Sequence, residues 1–186
     1  MPYIPLDEKL PGITGLLDYR KDTALPIRQL TQILLRGESS LTEAEREMIA
    51  SVVSYGNDCA FCTAAHTAAT DYLLGEKETS VKIKENIASA PVSEKMKSLL
   101  IIAGAVQVSG KNVKAEMIET AKKNGATDHE IHDTVLIAAL FSLYNRYVDG
   151  LASVTPAEPA FYERLAGILV QRGYLPSENR YAGLIK

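Results

Sequence analysis

The residues with chemistry to offer are concentrated in one stretch, Asp58-Cys59-Ala60-Phe61-Cys62-Thr63-Ala64-Ala65-His66, which holds both cysteines and one of the three histidines. On a helix, Cys59, Cys62 and His66 stand at i, i+3 and i+7, so their side chains leave the same side. A thiol reacts as its thiolate, and a free cysteine with a pKa of about 8.5 is mostly protonated at neutral pH. Three features favour the thiolate here. Cys59 falls in the first turn of its helix and Cys62 just after it, where unpaired backbone N–H groups favour negative charge. His66 lies one turn beyond Cys62 and can accept its proton. Glu47, on the preceding helix, can orient His66 or carry the proton onward. A Cys62 thiolate attacks a peroxide or a disulfide. Cys59 then resolves the resulting sulfenic acid or mixed disulfide into a Cys59–Cys62 bond. Two other readings use the same residues. Cys59, Cys62, His66 and Glu47 make a four-ligand set for zinc, although structural zinc sites draw ligands from two knuckles and the sequence has no second Cys/His pair. Alternatively the cysteines are small core residues, His66 a hydrogen-bonded core histidine and Glu47 a solvated helix charge.

The bulk numbers narrow the setting. A chain of 186 residues suits one domain with a sizeable core, and its 46% apolar and 23% charged residues are ordinary for a globular protein. A formal net charge of -3 gives no basic footprint for nucleic acid. The longest apolar run, Leu99 to Val108, is too short to span a membrane. Met1-Pro2-Tyr3-Ile4-Pro5 lacks the charged region and apolar segment of a secretory signal, so the expected compartment is the cytoplasm. There a lone Cys-x-x-Cys pair is more often catalytic or metal-binding than a structural staple.

The elements that must position these residues all read as helices. Residues 1–25, with Pro2, Pro5, Pro11, Gly12 and Gly15, read as an extended arm with turns. Pro26 suits a first helical position; Ile27, Leu30, Ile33 and Leu34 follow at helical spacing, and Gly37 ends that helix after Arg36. Leu41 to Tyr55 is a helix opened by a Thr42–Glu45 capping box. Asn57 or Asp58 is a natural cap for the helix that carries the cysteines to about Leu74, before Gly75. Further helices are predicted from Thr79 or Ser80 to Ser89, Glu94 to Val108, Val113 to Lys123, Ile131 to Ala152 behind a Thr127–Glu130 capping box, and Ala157 to Arg172 after Pro156. No strand-like alternation survives, so the domain, residues 26–175, is all-α, followed by a tail over 176–186.

Glu47, eleven residues, Cys59-x-x-Cys62, three residues, His66 resembles the signature of the alkyl hydroperoxidase D-like proteins of the carboxymuconolactone decarboxylase superfamily. Leu34-Leu35-Arg36-Gly37 and Leu41-Thr42-x-x-Glu45-Arg46-Glu47 resemble that family's lead-in, and Phe141-x-x-x-Asn145-Arg146 is similar to its peroxidase-related branch. The resemblance spans roughly residues 25 to 175. It implies a single-domain helical bundle that assembles into homo-trimers or hexamers, with no metal and no organic cofactor. It also implies reduction of organic hydroperoxides through a disulfide cycle, with Cys62 as the sulfenic-acid position, Cys59 as its partner, and Glu47 and His66 as proton relay. The implied partners are a dithiol or lipoyl-type reductant and a peroxiredoxin that receives electrons. Phe61 stands where the founding enzyme has a second histidine, which implies a shorter relay. A runner-up within the superfamily is a cofactor-free decarboxylase acting on a lactone acid, whose members generally lack the cysteine pair. A non-enzymatic alternative is a redox-sensing or zinc-binding oligomer. Of the remaining polar residues, Arg146 reads as a buried arginine paired at a helix or subunit contact, or one that meets an anionic substrate. His132 reads as structural or interfacial, and His129 as a surface residue.

Overall fold

The computed structural model of the chain describes residues 1–176 and Tyr181. The described residues form nine α-helices and two short 3-10 turns, with no strand. In order, the helices are α1 (Ile13–Tyr19), α2 (Lys21–Arg36), α3 (Glu43–Gly56), α4 (Ala60–Leu74), α5 (Glu78–Glu85), α6 (Glu94–Val108), α7 (Ala115–Lys123), α8 (Asp128–Gly150) and α9 (Pro159–Arg172). None is long and apolar enough to cross a membrane.

The bundle is built around α3, which packs against α4, α6 and α8. Its apolar residues, among them Met48, Ile49, Ala50 and Val53, face several directions at once, and a helix apolar all round belongs in an interior. Its polar residues Arg46, Glu47, Ser51 and Ser54 are buried too, so each must find a partner inside the protein. The predicted capping boxes both form: Thr42 with Glu45 starts α3, and Thr127 with Glu130 starts α8. Helix α4 lies between α3 and α9.

The structure departs from the sequence-based expectation at several ends. The segment 1–25, expected as an extended arm, contains α1 and the first turn of α2. Gly12, at φ 60°, makes the turn into α1, and a Cβ there would come within 2.3 Å of the Phe61 ring. Pro26 therefore sits inside α2 and not at its start, on the exposed side, where the lost backbone donor is the one that would bond Asp22. The inward face of α2 consists of Ala24, Arg28, Thr31, Leu34 and Leu35, while Leu30 and Ile33 are exposed. Helix α5 begins at Glu78 and ends at Glu85, leaving Ile87–Ser89 as a separate 3-10 turn. In α9 it is Pro159 that opens the first turn, where its missing N–H costs nothing. Of the expected tail, residues 177–180 and 182–186 lie outside the described residues.

Candidate active site

The cysteine stretch is delivered by a tight link between α3 and α4. Asn57 closes α3, and Asp58 turns the chain through the left-handed region at φ 58°, which aspartate tolerates better than most residues. Neither residue caps α4 with its side chain; Cys59 itself is the N-cap, at φ -84° and ψ 97°. Cys62 is then the third helical residue, within the turn whose backbone N–H groups lack intrahelical partners. Both cysteines are free thiols and buried, Cys59 at 0% exposure and Cys62 at 3%.

The two sulfurs differ in their surroundings. Cys62 lines a cavity of about 50 Å³, together with His66, Phe61, Phe141, Tyr174 and Arg28, whereas Cys59 does not reach it. Cys59 lies deeper, with the Cys62 thiol and the carboxyl group of Asp149 as its polar neighbours. Asn145 of α8 is a further polar neighbour of the Cys62 thiol, and its amide is fixed by donating to Ser54 Oγ at 3.0 Å and accepting from Asn57 Nδ2 at 2.8 Å. The Cys62 thiol is pushed well above its usual range, first by its hydrogen bond with Cys59 and then by burial, with Asn145 opposing both. The expected lowering of the thiol by its helix terminus is thus outweighed at rest. Two adjacent sulfurs in a dry site share protons more readily than they carry charge.

Glu47 is wholly buried and accepts three hydrogen bonds of 2.6 Å. Its Oε1 takes one from Arg36 Nη2 and one from the Tyr174 hydroxyl, and its Oε2 faces His66 Nδ1. Burial pushes this carboxyl up, but His66, Arg36 and Tyr174 together outweigh it and bring its pKa to about 2. A carboxylate ionised at neutral pH can only accept, so Nδ1 of His66 carries a proton. In the neutral ring that leaves Nε2 as the basic nitrogen. Among the described residues, no hydrogen bond engages Nε2 or joins His66 to Cys62; the two share the wall of the cavity. The imidazole is held edge-on against Phe141, with ring centroids 4.5 Å apart. Arg36 lies over the Tyr174 ring at 5.1 Å, so the two donors to Oε1 of Glu47 also brace each other.

The four residues singled out in the sequence, Glu47, Cys59, Cys62 and His66, therefore meet at one place, but as a carboxylate–imidazole pair beside a thiol pair. They do not converge as ligands: among the described residues no three of His, Cys, Asp and Glu are gathered to hold a metal ion. Sequence reasoning passed over Arg36 and Tyr174 as partners of Glu47. Arg36 was visible as the last residue before Gly37, and Tyr174 gave no signal in a stretch without period. Phe61 belongs to an aromatic cluster with Phe161 and Tyr162, at 6.3 and 5.9 Å, and packs on Gly12; it carries no proton. Arg146, expected to be buried, is exposed and donates to the Ser142 carbonyl at 2.9 Å. It follows Asn145 by one position, and on a helix that turns it away from the site. His129 and His132 are exposed and both meet Asp133.

Residues 24–92 match the Carboxymuconolactone decarboxylase family. Two solved structures share the fold, each with a TM-score of 0.74. One is an uncharacterized peroxidase-related protein from Silicibacter sp. TM1040, 27% identical over 82% of this chain and 78% of its own. The other, from Ralstonia eutropha JMP134, is described as an alkylhydroperoxidase AhpD core and an uncharacterized peroxidase-related protein; it is 24% identical over 84% of this chain and 80% of its own. No curated protein matches the sequence.

Proposed function

On the premise that this chain carries a carboxymuconolactone decarboxylase family domain in an all-helical, alkyl hydroperoxidase D-like fold, we propose that it is a thiol-dependent peroxidase. The observation that carries this reading is the unequal placement of the cysteines: Cys62 on the wall of a small cavity beside His66, and Cys59 beneath it with no access of its own. A nucleophile that meets substrate and a resolver that meets only the nucleophile need this arrangement.

In the proposed cycle, a hydroperoxide reaches Cys62 through the cavity and the Cys62 thiol gives its proton to Nε2 of His66, on the same wall. Glu47 stabilises the imidazolium so formed through Nδ1 and is itself held by Arg36 and Tyr174. The Cys62 sulfur attacks the distal peroxide oxygen and the O–O bond breaks. The leaving alkoxide takes the proton from His66 and departs as alcohol, and Cys62 becomes a sulfenic acid. The Cys59 sulfur displaces hydroxide from it, its own proton completing water, and a Cys59–Cys62 disulfide forms. A dithiol reductant, of the lipoyl type, returns two electrons and two protons by thiol–disulfide exchange. The high resting pKa of Cys62 places the burden on His66, because the thiolate has to be made as the substrate arrives.

The test is turnover of an organic hydroperoxide with a dithiol donor, alongside mass spectrometry of the thiols. Cys62→Ser is expected to abolish turnover, and Cys59→Ser to stop it after one equivalent, with Cys62 trapped as a mixed disulfide or overoxidised. Undiminished turnover by Cys62→Ser sinks the reading. A decarboxylase, the other activity the family name carries, has no use for the pair and would survive both substitutions.

A further inference from the structure

Helix α2 buries two polar side chains beside Ala24, Leu34 and Leu35 while leaving apolar ones outside. It leaves Ile33 65% exposed and Leu30 36% exposed, yet buries Arg28 to 9% and Thr31 to 1%. Thr31 has its reason. Its hydroxyl donates to the Ile27 carbonyl at 2.8 Å and so accepts from the Tyr144 hydroxyl at 2.6 Å. Arg28 has no comparable settlement. Its Nη1 reaches two neutral oxygens, the Tyr174 carbonyl and the Tyr181 hydroxyl, each at 3.3 Å. Among the described residues no carboxylate pairs with it, and its Nε and Nη2 make no hydrogen bond. Arg46, also buried, shows what a structural arginine looks like here: it donates to the carbonyls of Leu34, Gly37 and Thr42. A buried guanidinium without an anion is costly, and the cost falls once an anion arrives.

Arg28 lines the same cavity as Cys62 and His66. The other hydroxyls of that wall are committed. Thr14 donates to the Pro11 carbonyl, Tyr144 to Thr31, and Tyr174 to Glu47, while that of Tyr181 accepts from Arg28 itself. Three groups on the wall thus have capacity to spare: the Cys62 sulfur, His66 Nε2 and the forked donors of Arg28. The first two suit the peroxide group. The third suits a planar anion with two oxygens, which a guanidinium binds in parallel hydrogen bonds.

We propose that the cavity selects hydroperoxides that carry a carboxylate, bound by Arg28 so that the peroxide group faces Cys62. This rests on the peroxidase reading and adds the substrate class. No electron or proton passes through Arg28; it is a specificity residue, and the oxidation and reduction balance as given above.

The test compares two substrates, 4-hydroperoxy-4-methylpentanoate and its methyl ester, which share the peroxide and differ in charge. In the natural protein kcat/KM for the acid is expected to exceed that for the ester by roughly ten-fold or more, the range of a hydrogen-bonded charge. Arg28→Gln is expected to bring the ratio of acid to ester near one, mainly through KM. Arg28→Lys keeps the charge without the fork and is expected to fall between. Equal kcat/KM for the two substrates in the natural protein overturns the proposal without any variant. A second readout needs no turnover: binding of 4-methylpentanoate, followed by calorimetry, is expected to weaken roughly ten-fold in Arg28→Gln. If neither hydroperoxide is consumed but this binding is present and depends on Arg28, the peroxidase reading fails and the anion site stands. If the carboxylate does not bind the natural protein, the anion site itself is overturned.

Discussion

Two glutamates of this protein, Glu47 and Glu130, are buried to 0% and 1% exposure, and both have pKa values brought to about 2. Glu130 sits in the first turn of α8, where it accepts from the Thr127 backbone N–H at 2.7 Å, Ser40 Oγ at 2.9 Å and Lys95 Nζ at 2.7 Å. Burial pushes it up, and Lys95, Thr127 and Ser40 more than cancel that push. Glu47 sits mid-helix in α3 and has the same number of partners, but one of them is an imidazole beside a thiol-lined cavity. A strongly lowered carboxylate is therefore evidence of good pairing and not of chemistry. What separates the two is the kind of partner. Those of Glu130 are a backbone amide, a hydroxyl and an ammonium group, whereas Glu47 holds one nitrogen of an imidazole whose other nitrogen is left for the cavity that Cys62 lines.

Neutralising each carboxylate in turn separates pairing from catalysis. Glu47→Gln is expected to lower peroxide turnover by about 10²–10⁴-fold, the usual worth of a positioned proton acceptor, because an amide oxygen cannot offset the charge of an imidazolium. Glu130→Gln is expected to leave kcat/KM within about two-fold wherever the protein is folded, since surface-distant pairing does not enter the proton path. Equal losses in the two variants, assayed below their melting temperatures, would show that pairing and catalysis had been wrongly separated. The two are also expected to differ in thiol chemistry. Alkylation of Cys62 by iodoacetamide at neutral pH slows in Glu47→Gln and does not change in Glu130→Gln.

In stability the two carboxylates are expected to behave alike. A folded pKa of about 2 against an unfolded value of 4.5 means the stabilisation is fully present above pH 4.5. It is lost as the pH falls from there through about 2, and amounts to ~3 kcal/mol for each group over that window. Urea unfolding at pH 7 and at successive values down to pH 2 measures it. Each Gln variant is expected to be less stable at pH 7 and less sensitive to acid. If only Glu130→Gln flattens the profile, Glu47 is protonated in the folded protein and cannot be the partner of an imidazolium.

The same contrast explains what could be read from the sequence. Glu130 was legible in its structural role because a capping box is local: Thr127 and Glu130 are three residues apart, and the pattern specifies the contact. Cys59, Cys62 and His66 were legible for the same reason, since helical spacing alone puts them on one side. Glu47 could be nominated by the family signature, but its anchoring could not. Arg36 and Tyr174 approach it from 11 and 127 residues away, and no periodicity encodes a contact made by helix packing. Burial was misjudged for a related reason. Arg28 faces inward onto the cavity and Thr31 onto the Tyr144 hydroxyl, while, of the four residues a periodicity argument selects, Leu34 is buried but Leu30 and Ile33 are left outside. Asn145 and Arg146 are adjacent in one motif, yet Asn145 is buried and tied to Ser54 and Asn57 beside Cys62, while Arg146 is exposed.

The smallest expected effects compare the neutral hydrogen bonds that support each carboxylate. Tyr174→Phe removes one donor to Glu47, and Thr127→Ala removes the hydroxyl that caps α8 beside Glu130. Each is expected to cost ~1 kcal/mol of stability, the ordinary worth of a buried hydrogen bond or an N-cap. The comparison lies in activity. Without the Tyr174 hydroxyl, Glu47 keeps Arg36 and His66, so its charge is retained and only its position loosens. A loss of a few-fold in kcat with an unchanged KM is the expected result for Tyr174→Phe, and none for Thr127→Ala. A loss as large as that of Glu47→Gln would instead mean that the phenol supplies a proton to the reaction. Its pKa argues against this, because burial and then the Glu47 charge hold that phenol well above its ordinary value.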